Sequence, residues 1–158
     1  YQKLSEDFIE RNKDRMIWDD ISYYQKLSED FRTKHNLTNP KDSWLYADKE
    51  TKREAIKNCG LYELDQDYVI AYKGIRSDNY SYYNFQYKYE LGGTYESHAD
   101  YSLNNEDSFG LSACTEEKAR NYCSEKLIKV RVNIDDVAAL VYEDCKLRCT
   151  RFEVIEEL

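Results

Sequence analysis

Apolar and polar positions change period as the chain advances, and each change marks a new kind of element. In LSEDFI, Leu4 and Ile9 bracket a polar opening at Ser5, Glu6 and Asp7. Serine caps a helix N-terminus, acids in the first turn suit the positive end of the dipole, and apolar residues on either side form a staple. The spacing predicts a helix that runs on through IERNKDR and closes on Met16, Ile17 and Trp18. Asp19 or Asp20 then caps a second short helix, with Ile21, Tyr24 and Leu27 three apart on one face.

The octapeptide YQKLSEDF stands at residue 1 and again at residue 24, a period of 23 residues. Two short helices with a thin apolar stripe cannot bury themselves, so such units stack on neighbours. In the second copy Arg32 replaces the staple residue Ile9, which makes that copy the cap of an array. The sequence begins inside a repeat and reads as a fragment of a longer array. The stretch resembles the 23-residue LSEDFI-type tandem repeats with a W-x-x-I-S element found in viral and phage-like proteins. That resemblance implies an interaction array, with Phe8, Trp18 and Ile21 as candidate partner-binding residues.

Pro40 marks a loop after the repeats. A helix follows from Asp48, its N-cap, to Cys59, with Gly60 in the left-handed closing position. At Tyr68 the period changes: YVIAYKGI is a short apolar run fit for a central strand. In YYNFQYKYEL, Tyr83, Phe85, Tyr87, Tyr89 and Leu91 alternate with Asn84, Gln86, Lys88 and Glu90, predicting a strand with one wet face. Its tyrosines, Tyr83 and Tyr87 among them, are a second candidate partner surface. A polar surface loop follows, then a short strand or turn in SFGLSAC. Thr115 caps a brief helix over EEKARNYC, and KLIKVRVN alternates Ile128, Val130 and Val132 against Lys129 and Arg131. VAALVY and KLRCTRFEVI close the chain as a hairpin about EDC.

These elements predict an α+β protein: N-terminal short helical repeats, then a small mixed, antiparallel-rich sheet with one or two packed helices. The expected divisions are residues 1–38 for the repeats and array cap, 39–66 for a linking helix and 67–158 for the α+β domain.

Composition narrows the function classes. Sixteen tyrosines among 158 residues require many phenol hydroxyls at the margin of the core. A net charge of −8 opposes broad attachment to nucleic acid or anionic lipid. No apolar run approaches the roughly 18–20 residues of a membrane span. Five cysteines without a CxxC pair suit reduced thiols in a cytoplasm, with Cys145 and Cys149 together on one strand, and no metal site is expected.

No phosphate-cradling glycine loop, HExxH or GxSxG occurs, and the histidines are His35 and His98 alone. His98 lies in the polar loop, where Cys114 or Ser112 could reach it. YKG, GLSAC-TEEKA, LIKVRVNIDDVAAL and KLRCTRFEVIEEL together resemble a small phage and large-DNA-virus domain of unknown function, also found at the C-terminal end of phage rapid-lysis proteins. The likeness covers residues 68–158 and departs from that pattern at Ser112, where a histidine is common. A more distant likeness is to compact ADP-ribosyltransferases. It implies NAD as substrate, with Lys73 or Arg76 holding the dinucleotide, Ser112 and Tyr122 supporting it and Glu153 as the carboxylate. Lys73 stands where those enzymes carry arginine or histidine, and no ExE motif surrounds Glu153.

The expectation is a viral or phage-type interaction protein without a cofactor, binding a host or viral protein, with an inhibitor of host defence in that class. The alternatives are an NAD-using transferase and a structural virion or assembly protein.

Overall fold

The hydroxyls of Ser5 and Ser28 accept hydrogen bonds from the amides of Phe8 and Phe31, opening helices α1 (Glu6–Arg11) and α3 (Glu29–Lys34). The computed structural model describes residues 2–158, so Tyr1 of the first octapeptide lies outside the described residues. Helix α1 ends earlier than its polar sequence suggests. Asn12 donates its side-chain amide to the Phe8 carbonyl, and residues Lys13–Arg15 tighten into a 3₁₀ turn. Trp18 therefore opens helix α2 (Trp18–Tyr24) instead of closing α1. Asp19 and Asp20 occupy its first turn, while Ile17 holds the cap position without a side-chain bond.

The two units share a small core of Ile9, Ile21, Leu27 and Phe31, flanked by Leu4, Met16, Trp18 and Leu37. Each buried side chain of this size contributes about 1.5–3 kcal/mol. Four of them cannot offset ordering at about 1–2 kcal/mol for every residue, so the repeats depend on the rest of the chain. Tyr23 donates its hydroxyl to Ser102 at 2.6 Å. The repeat register also continues past Pro40: Trp44 and Tyr46 stand one period after Ile21 and Tyr23. Tyr46 receives the Leu27 amide and donates to the Gln25 carbonyl, while Trp44 enters the main core. The second unit is thus tied through Tyr46 to the segment that carries Trp44 into the main core.

Asp48 caps helix α4 (Lys49–Cys59), and Gly60 ends it at φ 69°. The strands are β1 (Glu63–Asp65), β2 (Tyr68–Ile75), β3 (Thr94–Glu96), β4 (Leu111–Cys114), β5 (Lys126–Asn133), β6 (Val137–Val141), β7 (Lys146–Cys149) and β8 (Arg151–Glu157); helix α5 (Glu116–Tyr122) lies between β4 and β5. They form an eight-stranded sheet in the order β3-β8-β5-β2-β4-β7-β6, with β1 on the first residues of β2. Every strand pairing is antiparallel, which makes this an α+β fold with a sheet-dominated core.

One join in this sheet is thin. Strands β2 and β5 pair over eight positions, whereas β2 and β4 meet only at Tyr72 and Cys114. The sheet therefore consists of two halves that share one apolar core. Val69, Ala71, Val130 and Val154 come from one half, and Ala113, Leu147 and Val137 from the other. Against the opposite side of β2 lies α5, packed so closely that a Cβ on Gly74 would stand 2.3 Å from the Ala119 carbonyl oxygen.

Strand expectations are also overturned. Residues 82–91 form no strand; apart from an isolated bridge at Lys88 the segment is irregular, with Tyr83, Phe85 and Leu91 exposed and Tyr89 buried. The Asp78 carboxylate accepts from the Tyr80 amide and the Asn84 side chain from the Gln86 amide, side-chain turns that compete with an extended ladder. KLRCTRFEVI is two strands, not one. Thr150 donates its amide to the Asp136 carbonyl, and the chain passes there from one half-sheet to the other. Cys149 lies on β7, but Cys145, expected on the same strand, lies in the turn before it.

Candidate functional site

Where β2 and β4 part, a cleft of about 810 Å³ opens. Its floor comes from Lys73 and Gly74 of β2 and from Leu111, Ser112 and Cys114 of β4, and its sides from Tyr122 of α5 and Tyr142 beyond β6. Tyr82, Tyr83 and Tyr87 hang over it from the irregular segment, and the outer wall is the loop carrying Asp107, Ser108 and Phe109.

Alternation along β2 directs Lys73 to the same side as Val69 and Ala71, toward the shared core. Its ammonium donates to the Ser112 carbonyl at 2.9 Å, bridging the gap between the parted strands, and stands 5.5 Å from the Tyr89 ring centre. Burial pushes its pKa below the ordinary lysine value. The ionisable groups that act on it are Cys114, Cys149 and Lys146, none of them a carboxylate.

A second cationic group sits across the cleft. Lys146, with its side chain 12% exposed, donates to the Glu106 carbonyl at 2.9 Å and to the Asp107 carboxylate at 3.1 Å. Its ammonium lies 5.0 Å from the Tyr142 ring centre, and Lys118 lies 5.1 Å from the same ring. Tyr142 donates its hydroxyl to Asp107 at 2.8 Å. That hydrogen bond, then Lys146, holds the Asp107 carboxyl below its usual range. Among the described residues Asp107 is the one carboxylate lining the cleft.

The wall that carries Asp107 is organised from below by Arg148. This side chain, 1% exposed, donates to the carbonyls of Asp100, Ser102, Asn105 and Glu106. The polar loop expected at the surface is thereby folded inward, with Asp100 and Ser102 buried. Tyr142, Glu143 and Asp144 are three successive residues at positive φ, a conformation that costs non-glycine residues about 1–2 kcal/mol each. The strained turn sets Tyr142 against the cleft.

Of the residues expected from sequence to act on NAD, Lys73, Ser112 and Tyr122 come together here, whereas Arg76 and Glu153 do not. Arg76 pairs with Asp78 at 2.8 Å and lies over the Phe85 ring. Glu153 alternates with core-facing Phe152 and Val154, so it points to the opposite side of the sheet from Lys73, and it pairs there with Arg131 at 2.8 Å. His98 borders a separate depression beside the repeats, apart from Cys114 and Ser112. Burial raises the Cys114 thiol to about 11, which keeps it protonated near neutrality. Tyr83 and Tyr87 line the cleft, Phe8 is exposed on α1, Trp18 stacks on His35 at 4.6 Å, and Ile21 is buried in the repeat core.

Lys146, Asp107 and Tyr142 escaped the sequence reading. Their local signal is no more than a lysine following a turn that opens on Tyr142, and the partner Asp107 is 39 residues away. Among the described residues there is no group of three or more metal-ligating side chains, and no helix is long and apolar enough to cross a membrane. No family model matches the chain, and neither a curated protein nor a solved structure matches it.

Proposed function

We propose that the α+β body binds a small ligand carrying an anionic group beside a planar ring, with nucleotides as the representative class. The observation that carries this reading is Lys73: a cation without a carboxylate partner, lining a cleft of about 810 Å³. A cleft of this size lies within the roughly 300–1,000 Å³ range of small-molecule sites. An anion on Lys73 would add a counter-charge to a partly buried ammonium whose own partners are the Ser112 carbonyl and the Tyr89 ring. Tyr82 and Tyr83 at the rim, 50% and 75% exposed, offer ring faces for stacking. Cleavage of NAD in this cleft would have to use Asp107 as its carboxylate, because Glu153 faces the other side of the sheet.

Calorimetric titration with AMP, ADP, NAD and pyrophosphate tests the reading. Binding by the phosphate-bearing compounds that disappears in Lys73→Met supports it; no heat from any of them at millimolar concentration sinks it. Release of nicotinamide from NAD, lost in Asp107→Asn and kept in Glu153→Gln, would extend the reading to catalysis.

A second reading concerns the repeats. Phe8 and Ile17 are 43% and 66% exposed, which suits contact with a protein partner and a virus- or phage-type protein that engages a host component. A pull-down comparing the wild-type chain with Phe8→Glu tests it, and an unchanged set of partners would count against it.

A further inference from the structure

The two repeat units touch through residues about one period apart, and these contacts define two different faces. The first unit offers Ile9 and Trp18 flanked by the carboxylates of Glu6 and Glu10. The second unit docks on that face with its own N-terminal side. Gln25 receives the Leu4 amide and donates to the Gln2 carbonyl. Ser28 donates its amide and hydroxyl to Glu6, and Lys34 and His35 reach Glu10 at 3.1 and 2.8 Å. Phe31 is the apolar centre of the contact, 8% exposed.

Gln2, Ser5, Phe8 and Arg11 stand one period before Gln25, Ser28, Phe31 and Lys34. The first unit thus carries the same docking side, held in the same capped helix, with nothing upon it among the described residues. Gln25 is 7% exposed whereas Gln2 is exposed, and Phe31 is 8% exposed whereas Phe8 is 43% exposed.

We propose that the Gln2, Ser5 and Phe8 face is a seat for one more helical unit of this 23-residue kind, one presenting isoleucine and tryptophan between glutamates. The seat continues an interface already present in the fold, and its chemistry is the chemistry of that interface. A second copy of this chain does not supply the matching face. Its first such face is covered by its own second unit, and in that second unit Arg32, Thr33 and Lys41 replace Ile9, Glu10 and Trp18. This inference deepens the partner-binding reading of the repeats by naming what docks there.

The test uses the full chain extended at its N-terminus by a duplicate of residues 1–23. Hydrogen exchange of the added unit should be slowed at least as much as that of the Phe8 and Ile9 amides. Phe8→Ala should lower the urea midpoint of the extended chain about as much as Phe31→Ala does in the original, while barely moving the midpoint of the original. An added unit that exchanges like unfolded chain, or an equally small effect of Phe8→Ala in both chains, overturns the proposal. A host protein captured through Phe8 while the added unit stays unfolded would end this inference and leave the partner-binding reading standing.

Discussion

The ammonium of Lys73 stands 5.5 Å from the centre of the Tyr89 ring, so a cation is held against an aromatic face inside the cleft with no carboxylate beside it. Replacing it with an apolar side chain of similar length should make the fold more stable and the site inactive. Lys73→Met is expected to raise stability at neutral pH by about 1 kcal/mol, read from the urea midpoint, while ligand binding is lost. Burial lowers the folded pKa of Lys73. Below that folded value both states are protonated and the full penalty applies. Between the folded and unfolded values folding releases a proton, so stability rises with pH and the advantage of the methionine variant shrinks. Ligand binding follows the opposite course, since the anion needs the charged form and should weaken as pH rises through the folded pKa.

Arg148 fixes the outer wall of the cleft through four carbonyl oxygens and lies near the buried Asp100 carboxylate. Arg148→Met removes all of these donors and leaves Asp100 buried without its cation. The expected cost is about 3–5 kcal/mol, with faster hydrogen exchange at residues 105–110 before the rest of the sheet responds. Arg148→Lys should rescue little, because one ammonium cannot span carbonyls that a planar guanidinium reaches from two sides.

Gly74 is the point where α5 approaches β2. In Gly74→Ala the new methyl would stand 2.3 and 2.4 Å from the carbonyl oxygens of Ala119 and Cys123, so the helix must move away from the strand. A loss of about 1–3 kcal/mol is expected, and Tyr122, which α5 carries into the cleft, should shift with it. Thermal unfolding and ligand titration on the same variant separate the two effects.

Acid should loosen the repeats before the body. Lys34, then His35, hold the Glu10 carboxyl below its ordinary value of 4.5. A depressed carboxylate pKa contributes stability that is present above the unfolded value and is lost as pH falls through the folded one. Amide exchange in α3, followed from neutral pH to below 4, should accelerate ahead of exchange in β5. In Glu10→Gln that lead should disappear.

Helix starts were legible because their signals are local. Ser5, Asp48 and Thr115 each cap the helix they were expected to cap, each accepting from an amide three residues on, whereas Asp19 and Asp20, expected to cap α2, lie in its first turn. The alternation in KLIKVRVN was legible for a similar reason, since Ile128, Val130 and Val132 face the core while Arg131 is exposed. Alternation alone failed in YYNFQYKYEL, because a period of two describes two faces and says nothing of a neighbouring strand to bond with. The break at Thr150 carries no glycine or proline and is made by backbone bonds to Asp136 and Ser97, distant in sequence. Lys73, Ser112 and Tyr122, singled out from the sequence, line the cleft, while Arg76 and Glu153, singled out with them, do not. Asp107, Lys146 and Arg148 belong to it through contacts spanning about forty residues, which no local pattern announces.

The single pairing of Tyr72 with Cys114 also sets how the cleft can move. Widening it breaks that one rung and the Lys73 bond to the Ser112 carbonyl and works against the apolar core the two halves share, while the eight-position seam of β2 with β5 and the hairpin of β6 with β7 stay closed. The two half-sheets can then swing as stiff plates about one compliant line. Any adjustment of the cleft to a ligand is expected along that line, with the strands on either side unchanged.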